Sequence, residues 1–356
     1  MNAYSVMNVN ENPYVPICNL IISLILKGTK QKDETKGLWT KLVDRVGSDS
    51  YQPVNVKLGV LSNVFNVLKP ADQMRFNVFK RILTVASEGD ELDAVLPTLK
   101  NTVLVETFMK EWGLSVDQRS HLLLIISQVL HPRDNSDNSY SVVSLEYLLK
   151  YLMVVQLNPM VPVDAAVLKA SLRNALLAAI NLPEILSFDD ILALKWTSDA
   201  KLQDLFGIKS LVELIKIFAT QSVEALEAFI KKNPNVLKES IITSREDAMR
   251  KIRVLSLSTL GMQYLYKKLG YKAIAQHLLI RHDEVEYWVI DAIRAGLIDA
   301  RMDQEKETVV VSRASHRVFG KKEWMVLDSQ VDEWRENMIK CLKVVQSSKK
   351  TDESIN

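Results

Sequence analysis

Glycine is scarce in this chain: 11 in 356, about 3% against a usual ~7%. So few glycines argue against glycine-rich phosphate loops and against many-turned β architectures, and they favour helices. Cysteine is scarcer still. Cys18 and Cys341 are the only two, they lie at opposite ends, and they match no metal-ligand spacing, so the sequence suggests reduced thiols in a cytosolic or nuclear protein, and a cytoplasmic one is expected. The five histidines, His121, His131, His277, His282 and His316, form no HExxH or related pair. Also missing are a P-loop, a G-x-S-x-G elbow and a G-x-G-x-x-G turn. The acidic pairs Asp189-Asp190 and Asp283-Glu284 stand beside helix starts, where carboxylates favour the macrodipole. The expectation is therefore a non-enzyme with no catalytic residues, cofactor, metal or small-molecule substrate.

Long apolar runs are missing too. Ile17 to Leu26 is the most apolar stretch, but ten residues cannot span a bilayer, and no Lys or Arg precedes it as a signal peptide would require. Its spacing (Ile17, Leu20, Ile21, Leu24, Ile25) predicts a buried face of an amphipathic helix, with no membrane partner. A strong charge of either sign is absent: the net charge is +2, too balanced to imply a polyanion partner. With 47% hydrophobic and 25% charged residues, the chain has the composition of a globular protein.

What the chain does have is helical periodicity. Residues 1 to 15 read as an irregular lead-in, and Gly28 to Gly37 as a charged loop. Leu58, Leu61, Phe65 and Leu68 mark one helix, closed by Lys69-Pro70. Phe79, Ile82, Leu83 and Ala86 mark the next, closed around Gly89. Pro97 fits the first turn of a helix ending near Trp112. Three capping boxes are expected: Ser115 with Gln118, Ser210 with Glu213, and Thr243 with Glu246. His131 to Ser139 is a linker-like loop, and Asn233-Pro234 is a break. Leucine stripes at Leu145 to Leu152 and Leu168 to Ala179 continue the pattern. The fold class expected is mainly α: a solenoid of HEAT- or tetratricopeptide-like repeats with no fixed period.

The pattern changes between residues 271 and 320. Val285, Trp288, Val289, Ala292 and Ile293 make a half-buried helix, with Asp283 and Glu286 as a capping-box-like start and Gly296 at its C′ position. Strand alternation follows at 297 to 302, then a polar turn, then the β-branched run at 308 to 312. Helix, helix, strand, turn, strand is the order of a winged helix. Its candidate recognition helix, 282 to 295, carries Asp283, Glu284, Glu286 and Asp291 against Arg294, which disfavours a phosphate backbone. A small basic patch, Arg313, Arg317, Lys321 and Lys322, is the candidate for weak RNA contact. Val309 and Val311, in a run apolar on both faces, are candidates for a sheet-to-sheet protein interface.

Beyond the hairpin, Trp324, Leu327, Val331, Trp334, Met338, Cys341 and Val345 alternate at spacings of three and four. That is an a/d seam about 32 Å long at ~1.5 Å per residue, and something must cover it. Residues from Ser347 read as disordered.

LGVLSNVFNVLKPADQMRFNVFK (58 to 80), MRKIRVLSLSTLGM (249 to 262) and DEVEYWVIDAIRAGLIDARMDQEKETVVVSRASHRVFGKKEW (283 to 324), with the helix that follows, resemble the PCI domain family. The likeness covers roughly residues 40 to 345. That family supplies scaffold subunits to the proteasome lid, the COP9 signalosome and eukaryotic translation initiation factor 3. The resemblance implies helical repeats at 1 to 140, a PCI domain at 141 to 320 (repeats 141 to 262, winged helix 263 to 320), an interaction helix at 321 to 346 and a tail at 347 to 356. It implies no cofactor and no catalysis. It also implies other PCI and MPN subunits as partners and, for an initiation-factor member, the 40S ribosomal subunit reached through the complex. The strands would face neighbouring subunits, and the stripe from Trp324 to Cys341 would enter a shared helical bundle.

Overall fold

A computed structural model describes residues 13–28, 32–131, 138–160, 162–233, 244–318 and 320–353. It forms two compact units, Met1–Leu182 with Leu194–Ile208, and Pro183–Ala193 with Lys209–Asn356.

The first unit is helical: α1 (Tyr14–Gly28), α2 (Lys32–Ser48), α3 (Val54–Val67), α4 (Met74–Glu88), α5 (Leu96–Lys100), α6 (Thr102–Glu111), α7 (Val116–Val129), α8 (Asn138–Leu157) and α9 (Ala165–Asn181). The second unit contributes the short α10 (Asp189–Leu192), after which the first resumes with α11 (Lys195–Ser198) and α12 (Ala200–Phe206). Helices α3 and α4, α7 and α8, and α8 and α9 pack on one another, and α4 also touches α2 and α7. Four aromatic rings bind the centre: Phe65, Phe79, Phe108 and Trp112, with Phe108 stacked on Trp112 at 5.4 Å and Phe65 edge-on to Trp112 at 6.0 Å. Such pairs add to the burial of large apolar area. Tyr147 on α8 ties into this unit by donating its hydroxyl to the Leu99 carbonyl at 2.7 Å.

Local chemistry explains the helix ends. Ser115 accepts from the Gln118 amide while the Gln118 side chain accepts from the Ser115 amide, the reciprocal box its sequence predicts. Leu68 and Gly89 close α3 and α4 where the polar breaks suggested. Other expectations need correction. Pro97 does start a helix, but that helix stops at Lys100, because Asn101 caps a separate α6 by accepting from Leu104. The charged stretch from Lys32 to Gly37 is the first turns of α2, not loop. The buried face of α1 also differs from the expected stripe: of that stripe Ile25 is buried, together with Cys18 and Ile22, while Ile17, Leu20 and Leu24 are each more than half exposed. The segment YVPICNLIISLILKG is apolar nearly all round, so its spacing holds two stripes and cannot choose between them.

The second unit runs through α13 (Lys209–Thr220), α14 (Val223–Lys232) and α15 (Arg245–Gln263) into β1 (Lys268–Gly270), α16 (Tyr271–Leu278), α17 (Val285–Arg294), β2 (Ile298–Asp303), β3 (Thr308–Ala314) and α18 (Lys321–Glu353). Because α13 begins at Lys209, Ser210 lies inside it and is no cap. At α15 the cap is Ser244, which accepts from Asp247, one residue on from the expected box. Thr243, Pro234 and most of the loop expected at 131 to 139 lie outside the described residues.

From β1 to β3 the unit is a winged helix. The sheet order is β1-β3-β2, both pairs antiparallel, with a bulge at Asp299/Ala300. Leu269, Ile274, Val289, Ile298, Val309 and Val311 meet in one buried core against α15. β1 is three residues long, too short to show alternation, and the sequence reading missed it. α17 ends as predicted at Gly296, φ +72°. Gly296 donates to Ile293 O, and Leu297 donates to Ala292 O, the paired bonds of a Schellman end. Its start differs, because Asp283 is held by the Arg281 guanidinium and makes no cap.

Candidate protein-interaction surface

α18 is 33 residues long, about 50 Å at ~1.5 Å per residue. It opens with Gly320 donating its amide to Glu323 Oε2 at 2.9 Å. Every side chain from Trp324 to Val344 is exposed. Trp324 is 61%, Val331 51% and Trp334 66% exposed, and Leu327 and Met338 stand out beside them. Cys341, at the end of the stripe, is an exposed thiol. The helix continues to Glu353, past Ser347, where the sequence suggested that order ends.

An amphipathic helix gains most of its stability from packing its apolar face, not from propensity. Here the heptad face, with two indoles and three aliphatic side chains, meets water. An exposed apolar patch of this size marks a protein or ligand contact, and the three/four spacing is that of a helix seated among helices.

The two other candidate groups fare differently. Val309 and Val311 are each 1% exposed. Their side chains fill the winged helix's own core, pointing at α15 and α17, so they are removed from the interface set. In strands the residues between face the other way, which leaves Val310 half-buried on the outer face. The basic patch is also broken up. Arg313 is tied to Asp299 across the β2–β3 pair, Nε to Oδ2 at 2.6 Å, and this bond raises its pKa. Arg317 is half-buried: its Nε donates to Leu255 O and its Nη1 to Gln221 O, both at 2.7 Å. Burial lowers its pKa to about 10. A guanidinium spent on two main-chain carbonyls is structural, so Arg317 leaves the RNA set. The side chains of Lys321 and Lys322 fall outside the described ones.

Sequence reasoning missed three groups. Arg250 on α15 pairs with Asp291 on α17, and 41 residues separate them, so no local spacing signals the pair. Lys251 is 5% exposed, with its Nζ over the rings of Phe188 and Phe218 at 5.2 and 5.8 Å, and burial lowers its pKa to about 7. Arg317 was read as part of a basic surface patch, and its main-chain partners were not foreseen. Among the described residues no cluster of three or more His, Cys, Asp or Glu could hold a metal. No described helix is long and apolar enough to cross a membrane.

Residues 230–313 match the PCI domain family. The chain is similar over 93% of its length to curated relatives described as eukaryotic translation initiation factor 3 subunit M. The Dictyostelium discoideum relative is 28% identical and covered over 78% of its length. That of Coccidioides immitis is 29% identical and covered over 69%, and that of Nematostella vectensis 28% and 82%.

Proposed function

We propose that this chain, a PCI-domain protein similar along nearly its whole length to subunit M of translation initiation factor 3, is a non-catalytic scaffold subunit of that factor. In this reading it is cytoplasmic, and it supports mRNA and initiator tRNA recruitment to the 40S ribosomal subunit indirectly. Contacts with other PCI and MPN subunits hold the assembly that does so. The helical arrays at 1 to 140 and 141 to 262 act as spacers, the winged helix at 263 to 320 as a lateral contact, and α18 as the segment entering a shared helical bundle.

The observation that carries this reading is the water-exposed stripe Trp324, Leu327, Val331, Trp334, Met338 and Cys341 along α18. Burying it against partner helices removes large apolar area from water, at ~25 cal/mol per Å². The test is co-purification with tagged initiation-factor subunits of a chain carrying Val331→Asp and Trp334→Asp. The expected result is a chain that melts like the parent but no longer co-purifies. Undiminished co-purification overturns the bundle role. Recovery of proteasome-lid or COP9 signalosome subunits in place of initiation-factor subunits overturns the assignment of complex.

A further inference from the structure

The outer face of the winged-helix sheet carries a cross-strand row of two cations about a valine. In the register of the sheet, Lys268 on β1 pairs with Val310 on β3, and Val310 pairs with Arg301 on β2. Residues directly opposite across strands share a face, and Leu269, Val309 and Val311 take the other one, in the core. Lys268 and Arg301 are both exposed and flank a half-buried valine floor. They stand two strand spacings apart, roughly 10 Å.

The acids near this row are already engaged. Asp303 lies close enough to feel Lys268, but it accepts from both the Lys306 amide and Nζ at 3.1 Å. Asp299 is held by Arg313, and Glu307 lies 3.4 Å from the His282 ring. Glu305 is exposed in the turn. Among the described residues no carboxylate pairs with Arg301 or Lys268. Lys268 and Arg301 therefore remain uncommitted on this face, although Asp299, Asp303, Glu305 and Glu307 lie on the same hairpin.

An aromatic lies two residues before Lys268 in the chain. Tyr266, just before β1, is 77% exposed and sits at φ +59°. Its amide donates to the Val311 carbonyl at 2.8 Å. A left-handed tyrosine costs free energy that glycine would not, yet its ring adds almost nothing to the core. Lys267 follows it, also exposed.

We propose that this face binds single-stranded RNA, with Arg301 and Lys268 on successive phosphates and Tyr266 stacking on a base. Arg reads phosphate through its planar fork and Lys as a point charge. A flat sheet with an exposed ring is a platform for unpaired bases. Duplex reading through α17 is disfavoured by Asp283, Glu284 and Glu286 at its start. The surface shares no residue with the α18 stripe, so its test and that of the bundle role are read separately.

The test uses the full chain and a fluorescein-labelled oligouridine of about 20 nucleotides, long enough for one platform's site, followed by anisotropy between roughly 50 and 200 mM salt. The parent is expected to bind with affinity that falls as salt rises. Lys268→Ala with Arg301→Ala is expected to weaken binding at least ~10-fold and to flatten the salt slope by roughly 1.4, at ~0.7 for each phosphate no longer neutralised. Tyr266→Ala is expected to weaken it about 5-fold or more with the slope unchanged. Lys41→Ala with Lys110→Ala, the same charge change in the first unit, is expected to leave binding intact. Thermal melts establish that each variant is folded. Absence of binding by the parent, or parent-like binding by the sheet-face pair, overturns the proposal. So does an acidic peptide that binds as tightly as RNA and is indifferent to Tyr266→Ala, since that outcome assigns the face to a protein.

Discussion

Arg250 grips Asp291 with two nitrogens: Nε to Oδ2 at 2.7 Å and Nη2 to Oδ1 at 2.5 Å. This bidentate bond joins α15 to the winged helix's second helix, and it raises the Arg250 pKa. The partners are unequal: the Arg250 side chain is half exposed, that of Asp291 almost entirely buried. Removing the arginine strands a buried carboxylate, whereas removing the aspartate frees a guanidinium that water can solvate. Arg250→Ala is therefore expected to cost more stability than Asp291→Ala, about 3 against about 1 kcal/mol. Urea melts of both variants measure the difference, and equal costs would refute the asymmetry.

Lys251 makes a pH prediction. Burial lowers its folded pKa to about 7 from an ordinary 10.5, with Glu184 pulling weakly the other way. Between those values the unfolded chain carries a proton that the folded chain lacks, so stability rises with pH across that window. Below about pH 7 both states are charged and the full cost of burying the ammonium remains. Lys251→Met keeps the contact with Phe188 and Phe218 and removes the charge. It is expected to be more stable than the parent at about pH 6, with the gap closing toward about pH 10 by at most ~1.4 kcal/mol per pH unit. A gap independent of pH would show that Lys251 does not titrate there.

The six tryptophans divide cleanly. Trp39, Trp112, Trp196 and Trp288 are buried, Trp324 and Trp334 exposed. Trp324→Phe with Trp334→Phe is expected to shift the emission of the free chain to the blue and to remove its acrylamide-quenchable fraction. Within an assembly that covers α18, the parent is expected to show the same two changes. Emission of the free parent that already resists quenching would contradict an exposed α18.

Gly296 ends α17 at φ +72° with open space around a would-be Cβ. Gly296→Ala thus tests backbone conformation alone. It is expected to cost about 1 kcal/mol, seen as a lowered urea midpoint with an unchanged slope.

Much of the architecture was written in local pattern. The capping box at Ser115, the glycine after α17 and the strand alternation after it all depend on neighbours a few residues away, and they stand where the spacing puts them. Features set by distant packing were not legible. Which stripe of α1 is buried depends on α2 and α3, since the helix is apolar on most sides. The three-residue β1 exists because β3 offers it an edge. Val309 and Val311 read as a sticky strand because a β-branched run looks the same whether its cover is a neighbour or α15. Arg317 read as a surface charge for the same reason: its carbonyl partners belong to Leu255 and Gln221, 62 and 96 residues away. The α18 stripe is exposed along with the other faces of its helix, so burial does not choose among them and the heptad spacing alone marks the stripe.

The anchoring of Arg317 has a mechanical consequence. Its fork anchors the strand-to-helix connector to the main chain of α15 and to the segment following α13, and the Ser258 hydroxyl holds the Ser315 carbonyl next to it. A pull applied along α18 by whatever grasps it therefore reaches that anchor before it reaches the hairpin. Load is passed into the helices behind the sheet, and the three strands are spared from peeling.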